Sequence, residues 1–250
     1  MNNAFYTGVS GMVSYQKGLD TIAHNMANVN TSGYKTQRSS FKDTLLTKMD
    51  VKSNKEELTG HGVRHVKNEY IYSQGALNMT ERPLDFAING DGFFKLQRIN
   101  EDGEELTSYT RAGNFNLSLE GEDAYLVTPT GYYVLDSNGD RIIVDKSKAE
   151  DGSNVLDYSS LRDKLGVYTF DNPYELEPVG DTMVRATERS GEDRLSADGQ
   201  YDVVAGALEN SQTNIVDQMT QLIETQRAYQ FSTRIVQTAD QIEEMVNNLR

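Results

Sequence analysis

The sequence predicts an α+β fold, with N- and C-terminal helices paired as a coiled-coil-like domain and a central antiparallel β-rich domain between them. Two observations carry this expectation. Residues 3–30 and 207–250 contain no proline and repeat apolar side chains at helical spacing, while all four prolines (Pro83, Pro129, Pro173, Pro178) lie between them. Proline lacks an amide donor and clashes with the preceding turn, so its confinement leaves both ends free to form long helices. Twelve of the 20 glycines fall within 81–205, mostly at turns between short apolar runs. That pattern reads as strands joined by tight turns. The expected division is residues 1–33 as a first helix, 34–80 as an extended connector, 81–205 as the β-rich domain and 206–250 as the last helix.

In the first helix the apolar positions are Phe5, Val9, Met12, Tyr15, Leu19, Ile22, Met26 and Val29, spaced 4, 3, 3, 4, 3, 4, 3. From Met12 this alternates like the seam of a coiled coil. Thr31-Ser32-Gly33 supplies a stop, with Gly33 suited to a left-handed position. The opposite face carries Ser, Thr, Gln and Asn rather than Lys and Glu, with Asn25, Asn28 and Asn30 crowded at its end. A solvated amphipathic helix normally shows charge there, so a neutral outer face points to a helix surrounded by protein.

The connector is basic and shows little periodicity beyond Phe41, Leu45 and Leu46. In the middle, Asp85-Phe86-Ala87-Ile88 and Phe93-Phe94-Lys95-Leu96 flank Asn89-Gly90-Asp91-Gly92, which predicts a hairpin. Tyr132-Tyr133-Val134-Leu135 and Arg141-Ile142-Ile143-Val144 flank Asp136-Ser137-Asn138-Gly139-Asp140, which predicts another. Leu165-Gly166-Val167-Tyr168-Thr169-Phe170 reads as a third strand region. The expected domain is compact and sandwich- or barrel-like. In the last helix, Leu208, Ile215, Met219, Leu222 and Tyr229 fall on one stripe, continued by Ile235, Ala239, Ile242, Val246 and Leu249 at spacings of 4, 3, 4, 3.

Charge sorts by segment. Residues 1–30 carry one Lys and one Asp, whereas residues 81–205 carry 12 basic and 26 acidic side chains and so account for the whole net charge of −14. The middle is expected to be a self-repelling surface. Nucleic-acid binding, which needs clustered Lys and Arg, is not expected. With no cysteine there is no thiol chemistry or disulfide. No run of about 18 apolar residues is present, so no transmembrane helix is expected. The first residues lack the basic and apolar regions of a cleaved secretory signal.

Candidate chemistry is sparse. Asp136, Asn138 and Asp140 resemble a calcium loop, but the glycine stands fourth rather than sixth and Ser147 occupies the twelfth position, so a turn is expected instead. His61 and His65 have i, i+4 spacing, but the neighbouring Gly60 and Gly62 argue against a helix. No carboxylate pair and no nucleophile context stands out. No catalytic residue, cofactor or metal site is expected.

Four blocks carry a resemblance. They are Leu19-Asp20-Thr21-Ile22-Ala23-His24-Asn25-Met26-Ala27-Asn28-Val29-Asn30-Thr31-Ser32-Gly33-Tyr34-Lys35, with Ser10-Gly11 upstream; Leu84 to Phe94; Tyr109-Thr110-Arg111-Ala112-Gly113-Asn114-Phe115; and Leu208-Glu209-Asn210-Ser211 followed by Met219, Leu222-Ile223 and Gln226-Arg227-Ala228-Tyr229. In this order they resemble the bacterial flagellar rod and hook proteins, nearly end to end. Met26 departs from the family's usual Leu or Ile, and Gln212-Thr213 from Asn-Val, with Asn210 or Ser211 left to cap the last helix. The chain length, the Gln226–Tyr229 block and Ser190-Gly191-Glu192 are most similar to distal rod members, with proximal rod and hook-type members as relatives.

The resemblance implies an axial structural subunit of the flagellar basal body. Such a subunit is exported through the flagellar type III apparatus without a cleaved signal and assembles helically with itself and with other rod and hook proteins. Its terminal helices would form an inner tube and its β domain an outer layer. The assembly residues expected on this basis are Met12, Leu19, Ile22, Asn25, Asn28, Gly33, Leu222, Tyr229, Ile235 and Ile242. A reading from another class, a secreted domain that binds or cleaves a cell-wall carbohydrate, would need paired carboxylates and exposed aromatics; the chain has 14 Tyr but no Trp.

Overall fold

The computed structural model describes residues 3–44, 47–49, 57–99, 105–121, 123–148, 154–158, 160–196 and 201–249. The chain divides into two compact units. One comprises residues 1–28, 37–71 and 213–250; the other comprises residues 29–36 and 72–212. A helix at each terminus and an antiparallel β-rich centre match the expected fold class.

The first unit holds the N-terminal helix Asn3–Ala27, the C-terminal helix Ile215–Asn248 and a β-hairpin. The hairpin pairs Gln37–Asp43 with Val63–Tyr70, with a register shift between Ser39 and Phe41. Beyond it, Thr47–Met49 pairs with Glu57–Thr59. The segment read as connector therefore contains regular strands. Its signal is weak in sequence because the Gln37–Asp43 strand shows no clean alternation of buried and exposed positions.

The N-terminal helix ends at Ala27, six residues before Gly33. Asn28 donates from Nδ2 to the His24 carbonyl at 2.9 Å, a local bond of the kind that competes with helix continuation. Gly33 does take a left-handed conformation, φ +69°. The C-terminal helix is capped by Asn214, whose side chain accepts from the Val216 amide at 3.0 Å, not by Asn210 or Ser211. Leu208, expected on the helical stripe, lies in the strand Ala207–Glu209.

In the second unit the strand Phe93–Ile99 is central. It pairs with Glu105–Thr110 on one side and with Tyr133–Val134 and Val167–Thr169 on the other, all antiparallel. The sheet extends through Met183–Arg185 and Glu177–Gly180 in one direction, and through Asp123–Val127 and Asn116–Glu120 in the other. Phe94 and Leu96 point into the main core with Phe86, Ile88, Phe115 and Leu126. Phe93 points into a second cluster with Tyr109, Tyr168 and Leu176. The two-residue period of a strand thus feeds two cores.

The hairpin expected across Asn89–Gly92 does not form. Phe86–Gly90 pairs with Tyr201–Ala205, while Phe93–Ile99 pairs elsewhere. Both apolar strands instead contribute to one core from different ladders, with the Phe115 ring 6.3 Å from Phe86 and 5.3 Å from Phe94. Turn chemistry lets a chain reverse, but burial chooses its ladder partner. The Asp136–Asp140 turn forms as expected: Asp136 Oδ1 accepts from the Asn138 and Asp140 amides at 2.7 and 3.0 Å, and Leu135 bridges Arg141.

Candidate assembly surface

The two terminal helices run antiparallel within their unit and meet through small residues. A side chain at Gly8 would stand 2.9 Å from a Val236 methyl and 3.3 Å from an Ile235 methyl; one at Gly11, 3.1 Å from Ser232 Oγ; one at Gly18, 3.5 Å from a Thr225 methyl. Asn25 donates to Gln218 Oε1 at 3.0 Å. The residues facing each other therefore keep one register along the pair. On the C-terminal helix Gln218, Thr225 and Ser232 recur every seven positions. The seam is rotated by about one residue from the stripe predicted through Met12, Leu19 and Met26. Glycine adds nothing to a hydrophobic pattern, yet it is what allows close backbone approach.

Asn25 is almost wholly buried and ties three elements together. Its Nδ2 also donates to the Gln37 carbonyl at 2.7 Å, and its Oδ1 accepts from the Gln37 amide at 2.9 Å. The side chain thus acts as a strand partner for the hairpin while bonding across the helices. Nearby, Ser14 donates to the Val63 carbonyl at 3.1 Å and Ser39 to Thr21 Oγ1 at 2.8 Å. These polar contacts hold the hairpin to the N-terminal helix.

Other large apolar side chains lie outside this seam. On the C-terminal helix Val216, Met219, Ile223, Phe231, Ile242, Met245 and Val246 are exposed, Phe231 by 66% and Ile242 by 52%. Val13 and Tyr6 are exposed on the N-terminal helix. Of the expected assembly residues, Ile22 and Asn25 are buried in this unit; Met12, Leu19, Asn28, Leu222, Tyr229 and Ile235 are half-buried; Ile242 is exposed. Met12 Sδ accepts from Thr233 at 3.3 Å. Gly33 is buried in the other unit, where a side chain would stand 2.6 Å from the Ala112 amide nitrogen.

The second unit contains a buried charge cluster that sequence reasoning missed. Glu209 Oε1 accepts from Lys35 Nζ at 2.6 Å and from the Gly75 amide at 2.7 Å; Oε2 accepts from Arg111 Nη1 at 3.1 Å. Lys35 also donates to the Ser73 carbonyl at 2.7 Å, and Arg111 to the Gly90 carbonyl at 2.6 Å. All three charged side chains are at most 5% exposed. Burial, reinforced by Arg111, holds the Lys35 ammonium below its ordinary value, against the opposing pull of Glu209 and Asp91. The one available signal was that Lys35, Arg111 and Glu209 each sit inside a recognisable block.

Among the described residues no group of three or more His, Asp or Glu is placed to hold a metal ion, and no helix is long and apolar enough to cross a membrane.

Three family models match the chain: "Flagella basal body rod protein" over residues 5–35, "Flagellar hook protein FlgE/F/G D1 domain" over 87–158, and "Flagellar basal body rod FlgEFG protein C-terminal" over 204–249. The flagellar basal-body rod protein FlgG of Bacillus subtilis is 33% identical over 99% of both chains. The chain belongs to the flagellar basal-body rod protein family. FlgG of Borreliella burgdorferi is 32% identical over 100% of this chain and 99% of its own, and the flagellar hook-basal body complex protein FlhP of Bacillus subtilis is 28% identical over the whole of both. As a rod protein of the distal type, the chain is a structural subunit of the flagellar basal body. Each of the three matched segments of this rod protein supplies one residue of the buried cluster: Lys35, Arg111 and Glu209.

Proposed function

We propose that this rod subunit assembles helically with copies of itself, and with other rod and hook proteins, through the outer faces of its terminal helices, forming the torque-transmitting shaft. The observation that carries this reading is the inversion on the helix pair. Glycine, hydroxyl and amide side chains are buried in the seam, while Ile223, Phe231, Ile242 and Val246 face outward. An apolar surface of this kind marks an interaction site. The seven-residue recurrence of Gln218, Thr225 and Ser232 against the N-terminal helix supports a coiled-coil-like pairing of the two helices. Leu19, Leu222 and Tyr229 flank the seam and would pack at subunit contacts; Met12 and Ile235 are engaged between the helices, on Thr233 and beside Gly8; Asn25 and Gly33 act within the subunit, holding the helices and the chain path in place. Asn28 bonds at the end of the N-terminal helix. The role is architectural and calls for no catalysis or cofactor. The subunit reaches its place through the flagellar type III export apparatus.

The test is to isolate basal bodies from the source cells and locate this chain by mass spectrometry and antibody labelling. Label along the rod is the expected outcome. Its absence from basal bodies that hold a complete rod would overturn the reading.

A further inference from the structure

The β-rich unit consists of residues 29–36 and 72–212, so the chain enters or leaves it at 29, 36, 72 and 212. Three of these passages run directly into the buried cluster. Lys35 stands one residue from the second, Ser73 one residue from the third and Glu209 three from the fourth. Hydrogen bonds join the segment 29–36 to the segment 207–212: Gly33 N–H to the Glu209 carbonyl at 2.8 Å, Gln212 N–H to the Tyr34 carbonyl at 3.3 Å, and Lys35 Nζ to Glu209 Oε1 at 2.6 Å. The segment after residue 72 is bound to both, through the Ser73 carbonyl on Lys35, the Gly75 amide on Glu209 and the Asn210 amide on the Ala76 carbonyl at 2.9 Å.

We propose that the Lys35–Glu209 pair is a mechanical clamp that keeps tension on the terminal helices from opening the β-rich unit. Force arriving along the chain from either helix enters at residues 29–36 or 207–212. It meets these crossing bonds before it reaches the sheet. Charge-assisted hydrogen bonds are short and directional and break over a small displacement, whereas apolar contacts can slide. A buried ion pair is poor evidence for thermodynamic stability, since desolvation offsets most of the attraction. Its placement where the chain leaves the unit is better matched to resisting force. Arg111 is an internal control: it binds the same carboxylate at similar burial but comes from the interior of the unit's chain, not from an exit. Lys35 and Glu209 are positioning residues. The inference goes beyond the assembly reading and does not rest on it, because it concerns a single chain.

The experiment is single-molecule pulling of the full-length chain through handles on cysteines added at the two termini, which the absence of native cysteine allows. Lys35→Met and Arg111→Met are compared with the unsubstituted chain, with urea unfolding of each measured in parallel. Both variants are expected to lose stability. Only Lys35→Met is expected to lower the rupture force of the β-rich unit, by roughly a third to a half, since it removes the charged member of the crossing bonds. Should Arg111→Met fail to fold, Val134→Ala, a core position with the cluster intact, takes its place and keeps its force. Equal loss of force in Lys35→Met and the control, in step with lost stability, would show an ordinary structural role. Unchanged force in Lys35→Met would overturn the clamp outright.

Discussion

The two units dispose of their apolar residues in opposite ways. In the β-rich unit Phe86, Phe94, Phe115 and Leu126 are fully enclosed, and a second cluster stacks Tyr109 edge-on to Phe170 at 4.8 Å. In the helical unit the buried positions are mostly glycines, hydroxyls and amides, while phenylalanine, isoleucine and methionine face outward. A unit that hides its large side chains can be stable alone, because burial of apolar area supplies most of the driving force. Under the assembly we propose, a unit that buries small residues and leaves large ones outside forms one layer of a larger packing. The difference separates a unit with an enclosed apolar core from one that leaves its large apolar side chains to solvent.

Substitutions test that contrast. The largest expected effect is Phe94→Ala, which removes a wholly buried ring and costs about 3–5 kcal/mol, read as a lowered urea midpoint of the β-rich unit. Asn25→Ala is the polar counterpart in the helical unit. It strands the Gln37 amide and carbonyl and the Gln218 side chain, for about 2–4 kcal/mol, read as lost helical circular dichroism at a lower temperature. A smaller loss there than for a conservative core trim such as Val134→Ala would show that the amide knot is not what holds this unit. Gly11→Leu forces a side chain into a gap where even a methyl would meet Ser232 Oγ at 3.1 Å. About 1–3 kcal/mol is expected, and a stabilised variant would refute the close helix approach.

The smallest effect is a pH dependence. Burial, with Asp193 beside it, raises Tyr109 above its ordinary value of 10. The unfolded chain then releases this proton at lower pH than the native state does. Native stability from this group is complete below pH 10 and is lost as pH rises beyond it. Tyr109→Phe should be less stable by about 1 kcal/mol at pH 8, with the gap closing in denaturation curves taken above pH 10. A gap that stays constant would contradict a buried phenol.

Much of this contrast was legible in the sequence. Proline confinement and 4–3 spacing located both helices, and the Asp136–Asp140 turn was legible from local chemistry alone. So was the left-handed conformation of Gly33, although the helix it was expected to end stops at Ala27. What was hidden depended on partners far away. The seam through Gly8, Gly11 and Gly18 carries no hydrophobic signal, so periodicity pointed to the neighbouring stripe, whose outward members belong to the surface. The strands Phe86–Gly90 and Phe93–Ile99 looked like a hairpin because their turn permits one, yet Phe86–Gly90 is completed by residues 201–205. Lys35 and Glu209 are 174 residues apart and Arg111 is 98 from Glu209. Each was visible inside a familiar block, but no local rule says that three charges so distant share one buried site.

In the assembly we propose, the outer faces of the terminal helices are covered only in the rod. The chain has no native cysteine, so Ile242→Cys provides a single reporter on that face. Its reaction with a maleimide can be compared between the soluble chain and isolated basal bodies. Rapid labelling in solution and strong protection in the rod is the predicted result. Equal labelling in both would mean that this face stays open to solvent and that the rod is built through another surface.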